Sequence, residues 1–80
     1  MLNLMKRIES AMDKELPLAM SYTGDVTDTK ISYDICWTER AKTISAQNKL
    51  RQDIIDFGKR HGAVEISDNN INVITLTFSL

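Results

Sequence analysis

Residue types that carry chemistry are scarce in this chain. Cysteine, histidine and proline occur once each, and glycine three times, in 80 residues. The lone cysteine, Cys36, can form no internal disulfide, which predicts a reducing compartment and a cytoplasmic location. One cysteine and one histidine, distant in sequence, offer no zinc-type spacing. Asp25-Val26-Thr27-Asp28 has two carboxylates but lacks the ligand number and central glycine of a calcium loop. Its residues read as a turn bonding its own backbone. Gly24, Gly58 and Gly62 are too scattered for a phosphate-cradling loop. Cys36 and His61 form the sole Cys/His pair, and the elements predicted below put them on opposite sides of a sheet, which separates nucleophile from base. No catalytic, metal or cofactor site is expected, and the chain is read as non-enzymatic.

Bulk is also limited. No apolar run approaches the roughly 18 residues of a membrane span, and no membrane association is expected. The opening MLNLMKRIESAM interleaves charge with apolar residues and lacks the apolar core of a secretory leader. Eighty residues exclude barrels and dinucleotide-binding scaffolds, and leave little chain to wall off a ligand pocket. Apolar residues at 42% and charged residues at 26% nevertheless describe an ordinary folded chain, read as one domain over residues 1–80.

Periodicity supplies the elements. Met1, Leu4, Met5, Ile8, Ala11 and Met12 fall on one stripe at helical spacing, which predicts a helix over residues 3–15, with Asn3 as N-cap and Pro17 as its stop. Residues 18–23 and 30–38 alternate, Leu18, Met20 and Tyr22 matching Ile31, Tyr33, Ile35 and Trp37. With GDVTDT as the loop, Thr23 would pair with Lys30 and all the large side chains would share one face. Ala46, Leu50, Ile54 and Phe57 mark a second helix over residues 41–60, flanked by Ile44 and Ile55 and stopped at Gly62. Residues 63–67 and 72–79 read as a second hairpin. Parity favours an odd-length loop at Asp68, Asn69 and Asn70, which aligns Val64 and Ile66 with Ile74, Leu76 and Phe78.

The expected fold is therefore α+β, in the order α-β-β-α-β-β: a four-stranded, mostly antiparallel sheet with both helices on one face. Leu50, Ile54, Phe57, Ile8, Tyr33, Ile35, Trp37, Ile74, Leu76 and Phe78 form its predicted core. The other sheet face is left with small and polar residues. Seven of them, Ser21, Ser32, Asp34, Cys36, Glu65, Thr75 and Thr77, are the candidate partner-binding set, because small side chains lose little rotamer entropy when a second surface covers them.

Charge is unevenly spread. Residues 40–60 carry six basic and two acidic side chains, whereas both flanks are acidic. Lys42, Lys49, Arg51, Lys59 and Arg60 are candidates for electrostatic contact with a partner. Lys49 with Asp53, and Asp56 with Arg60, stand at i,i+4 spacing and partly neutralise one another. Four methionines, three of them on the first helix stripe, add an adaptable packing surface. By elimination the expectation is a small protein-binding module. Size and class suggest, by analogy only, a phage- or mobile-element-type inhibitor or adaptor that docks on a larger host protein or complex. The alternative is a nucleic-acid-binding regulator using helix 41–60. A homodimer is compatible with either.

Overall fold

The computed structural model describes residues 2–16, 20–37, 43–70 and 72–80, without the side chains of Leu2, Met20, Asn69 and Asn70. It contains α1 (Leu2–Glu15), β1 (Met20–Val26), β2 (Lys30–Trp37), α2 (Ile44–Arg60), β3 (Glu65–Asn70) and β4 (Val73–Ser79). The strands form one antiparallel sheet in the order β1-β2-β4-β3. The fold is α+β, as the periodicity predicts.

Alternation decides which face is covered. Along β2, Ile31, Tyr33, Ile35 and Trp37 are buried, while Ser32 and Cys36 are half-buried and Asp34 is exposed. The buried set continues with Ile74, Leu76 and Phe78 of β4, Ile8 and Met12 of α1, Leu16, and Ile54 and Phe57 of α2. One apolar layer thus lies between the sheet and the two helices. Leu50 is only half-buried and packs on the margin of that layer. Ile44 is 78% exposed, because Thr43 caps α2 and Ile44 is its first residue, pointing beyond the core. The Thr43 side chain accepts from the Ala46 N–H, so α2 starts later than residue 41; Ala41 and Lys42 lie outside the described residues. Asn3 sits inside α1, not at its cap. Gly62, at φ 80°, ends the α2 turn in the left-handed region that glycine enters without strain.

Two expectations about strand register need correction. The first hairpin does not pair Thr23 with Lys30; Gly24 stands opposite Tyr33, Val26 opposite Ile31 and Tyr22 opposite Ile35. GDV is strand, and only Asp28 and Thr29 turn the chain, closed by the Thr27 N–H donating to Lys30 O and the Lys30 N–H donating to Thr27 Oγ1. The reason lies at Gly24. A Cβ there would stand 3.2 Å from the Tyr33 ring, so the glycine makes room for an aromatic neighbour and does not form a turn. Parity survives the shift, so the faces are unchanged.

In the second hairpin Ile66 does stand opposite Leu76, and Ser67 opposite Thr75, in the odd-loop register. A register shift between Ser67 and Asn70 then brings Asn70 opposite Val73. The irregularity thus sits within β3, and the Asp68–Asn70 segment is strand, not loop. Val64 precedes β3 and is 58% exposed, so it lies off the core despite its parity.

Candidate functional site

The covered face leaves little for function, so the candidate surface is the opposite one. Register builds it in rows across β1, β2, β4 and β3. Ser21, Cys36 and Val73 form one row, Thr23, Asp34, Thr75 and Ser67 the next, and Asp25, Ser32, Thr77 and Glu65 the third. All seven residues of the candidate partner-binding set fall on this face, in three adjacent rows. No described helix residue belongs to the face. Side-chain hydrogen bonds tie neighbouring strands. Thr75 Oγ1 donates to Asp34 Oδ1 at 2.7 Å, and the Ser32 and Thr77 hydroxyls share a bond of 3.1 Å. These bonds fix rotamers of short side chains; Ser21, Asp34 and Glu65 are exposed, Ser32, Cys36 and Thr75 are half-buried, and Thr77 is buried and offers a partner little surface. Cys36 is a half-buried free thiol within it.

The face is also acidic. Asp25, Asp34 and Glu65 are exposed, and Lys30, at the end of β2 opposite Ser79, is its one cation among the described residues. Charge and small size together were only half legible in sequence. Parity identified Asp34 and Glu65, but Asp25 entered the face only when the β1–β2 register placed it beside Ser32.

The candidate cations are differently disposed. Lys49 bonds Asp53 at 3.0 Å, with Lys49 largely exposed. Arg51 pairs with Asp68 of β3 and lies 5.4 Å from the centroid of the Trp37 ring, a cation–π distance. Arg60 pairs with Glu15 at 2.7 Å, and His61 Nε2 meets the other Glu15 oxygen at 2.9 Å. The Arg60 guanidinium, followed by His61, holds the Glu15 carboxyl below the usual glutamate range. Three of the five cations are therefore engaged by acids of this same chain, and two of those links join α2 to other elements. Lys59 is exposed. Lys42 lies outside the described residues. The three engaged cations, Lys49, Arg51 and Arg60, are drawn to acids on different elements, α2 itself, β3 and α1.

The aromatic residues form no stacking platform. Tyr33 and Trp37 are buried, and half-buried Tyr22 packs edge-on against Tyr33 at 5.9 Å between centroids. Tyr33 donates to Glu9 Oε2 at 3.0 Å, linking the sheet to α1. Burial, with Glu9 nearby, pushes the Tyr33 hydroxyl pKa well above its ordinary value. Trp37 Nε1 is buried and finds no partner among the described residues. An open depression of about 240 Å³ lies beside Asn3, Leu4 and Arg7 on α1, but these residues bring no nucleophile or acid–base pair. Among the described residues no three histidine, cysteine or carboxylate side chains converge on a metal position. No described helix is long and apolar enough to cross a membrane.

No protein-family model matches the chain, and the search of curated proteins finds no match.

Proposed function

We propose that this chain is a non-enzymatic protein-binding module that docks on a larger protein through its open sheet face. The observation that carries the reading is that face itself, a four-stranded surface of small side chains, several hydrogen-bonded across strands, with exposed Asp25, Asp34 and Glu65 and, among the described residues, a single cation at its end. Short, pre-ordered side chains lose little entropy on contact. The carboxylates fit a partner that presents lysine and arginine, and they would steer its approach. By analogy of size and class only, such a module is read as a phage- or mobile-element-type inhibitor or adaptor in the cytoplasm, whose small acidic face would cover a basic working surface on a host protein. The free Cys36 thiol fits a reducing compartment. The nucleic-acid alternative loses support because Lys49, Arg51 and Arg60 are spent on internal ion pairs.

Capture from nuclease-treated lysate tests the reading. The wild-type chain is compared with a Ser32→Arg, Thr75→Arg double variant, which adds bulk and positive charge to the face without touching the core. A protein partner retained by the first and lost by the second is expected. A partner released by nuclease, or retained by the double variant, overturns the proposal.

A further inference from the structure

An antiparallel sheet with two ends has two open edges, and an open edge is a template for another strand. The two edges of this sheet are not alike. On β3 the register shifts between Ser67 and Asn70, Glu65 is exposed, and the Asp68 carboxylate is tied to Arg51. A bulge and fixed charges are the usual means of blunting an edge. On β1 the register carries no such shift, and no ion pair fixes its carboxylate among the described residues. All seven residues, Met20–Val26, pair with β2 in unbroken register, without proline or cation and with Asp25 as the sole charge. The outer row of backbone groups on β1 is about 24 Å long at the usual rise, and among the described residues none bonds to it.

We propose that β1 is the seam of a homodimer, in which two copies pair antiparallel along Met20–Val26 and join their sheets into one of eight strands. The inference is independent of the partner-docking reading, since it uses the sheet edge and leaves most of the open face free. The strand is self-complementary about its centre. With Thr23 on the two-fold axis all seven residues overlap, and Ser21 stands opposite Asp25 of the partner subunit, a hydroxyl donor against a carboxylate acceptor. Tyr22 stands opposite Gly24 of the partner subunit. Gly24 already makes room for the Tyr33 ring within its own chain. Across the seam it would lie between two aromatic neighbours. Val26, 37% exposed at the strand end, gains the Met20 position as its opposite number.

Full overlap of the seven residues selects this register, and charge excludes the one centred on Asp25. Placing Asp25 on the axis would set two carboxylates directly opposite each other, which is unfavourable. In the Thr23-centred register they are separated by four residues along the strand, about 14 Å, beyond the screening length of about 8 Å at physiological salt. Closed two-fold pairing of this kind consumes both free β1 edges and stops at two copies. A seven-residue seam is small against the usual stable interface, so dissociation in the micromolar range or weaker is expected.

Sedimentation equilibrium and amide hydrogen exchange of the wild-type chain, from micromolar to millimolar concentration, test the proposal. Dimer formation with protection of β1 amides that rises with concentration is expected. Thr23→Lys, which sets two lysines against each other on the axis, should raise the dimer dissociation constant at least tenfold, while Glu65→Lys on β3 should leave it unchanged. Should Thr23→Lys fail to fold, the wild-type exchange data decide alone. A chain that stays monomeric over the whole range overturns the proposal. So does a dimer that protects β3 in place of β1, or one that survives Thr23→Lys. Partner binding is scored separately with Ser32→Arg, Thr75→Arg, so failure of either idea leaves the other standing.

Discussion

Gly58→Ala sets two effects of known sign against each other. Gly58 is a buried residue inside α2, where alanine in its place gains about 1 kcal/mol of helix propensity. Against this, a Cβ at Gly58 would stand 2.8 Å from Leu76 Cδ2 and 3.3 Å from Ile66 Cδ1. Leu76 is fully buried, so its methyl has little space into which to retreat. Overpacking of this kind costs about 1–3 kcal/mol. The steric term wins, and a net loss of about 1 kcal/mol is expected, a fall of about 4–8 °C in Tm for a domain of this size. The same substitution made together with Leu76→Val, which removes the obstructing methyl, should become neutral or stabilising. Leu76→Val alone should cost about 1 kcal/mol by analogy with other single-methylene deletions. Urea titration followed by far-UV circular dichroism gives all four corners of the cycle, and a coupling of about 1–2 kcal/mol is expected. If Gly58→Ala raises Tm in the wild-type background, or acts equally in both backgrounds, α2 does not lie on β4 at that spacing.

Burial grades the core. Ile54→Ala should cost about 2–5 kcal/mol, and half-buried Leu50→Ala clearly less, by the same denaturation assay; equal costs would contradict the placement of α2. Glu15 should titrate below the ordinary glutamate value by carboxyl NMR and return toward it in Arg60→Gln. Because its folded pKa is depressed, its contribution is present above the unfolded glutamate value and is lost as pH falls through the folded one. Tyr33 has the opposite sign. Its raised pKa contributes stability below the unfolded tyrosine value of about 10, and this drains as pH climbs above it. Alkaline unfolding accompanied by late tyrosinate absorbance is expected, whereas early ionisation of both tyrosines in a folded chain would show that the Tyr33 ring is accessible.

What was readable from sequence followed from spacing. Ile54 and Phe57 at helical intervals, Tyr33 and Ile35 at period two, and Gly62 just past a helix each report on local backbone, and each sits where its spacing implies. Gly24 misled because glycine before aspartate is also a turn signal; its actual neighbour, Tyr33, is a cross-strand contact that local sequence does not encode. The strand order is long-range in the same sense, and with it the rows of the open face. Parity separated Ser32 and Thr75 from the core but gave no means of knowing that Ser32 meets Thr77 or that Thr75 meets Asp34. The candidate cations show the limit most clearly. Spacing announced the Lys49–Asp53 pair, but Glu15 meeting Arg60 and His61, and Asp68 meeting Arg51, depend on how α1, α2 and β3 are packed.

The role of the open face is tested most directly by the affinity of the captured partner for three forms of the chain: wild type, Ser32→Arg with Thr75→Arg, and Lys49→Gln with Lys59→Gln. Biolayer interferometry at physiological salt provides the comparison, with circular dichroism confirming that each form is folded. Two arginines placed on an acidic face that meets a basic partner should weaken binding about a hundredfold, about 2.8 kcal/mol, within the range for mispaired interfacial charge. The helix variant should bind as the wild type does. Full affinity in the face variant, or loss of affinity confined to the helix variant, would contradict the assignment of the sheet face and return the contact to α2.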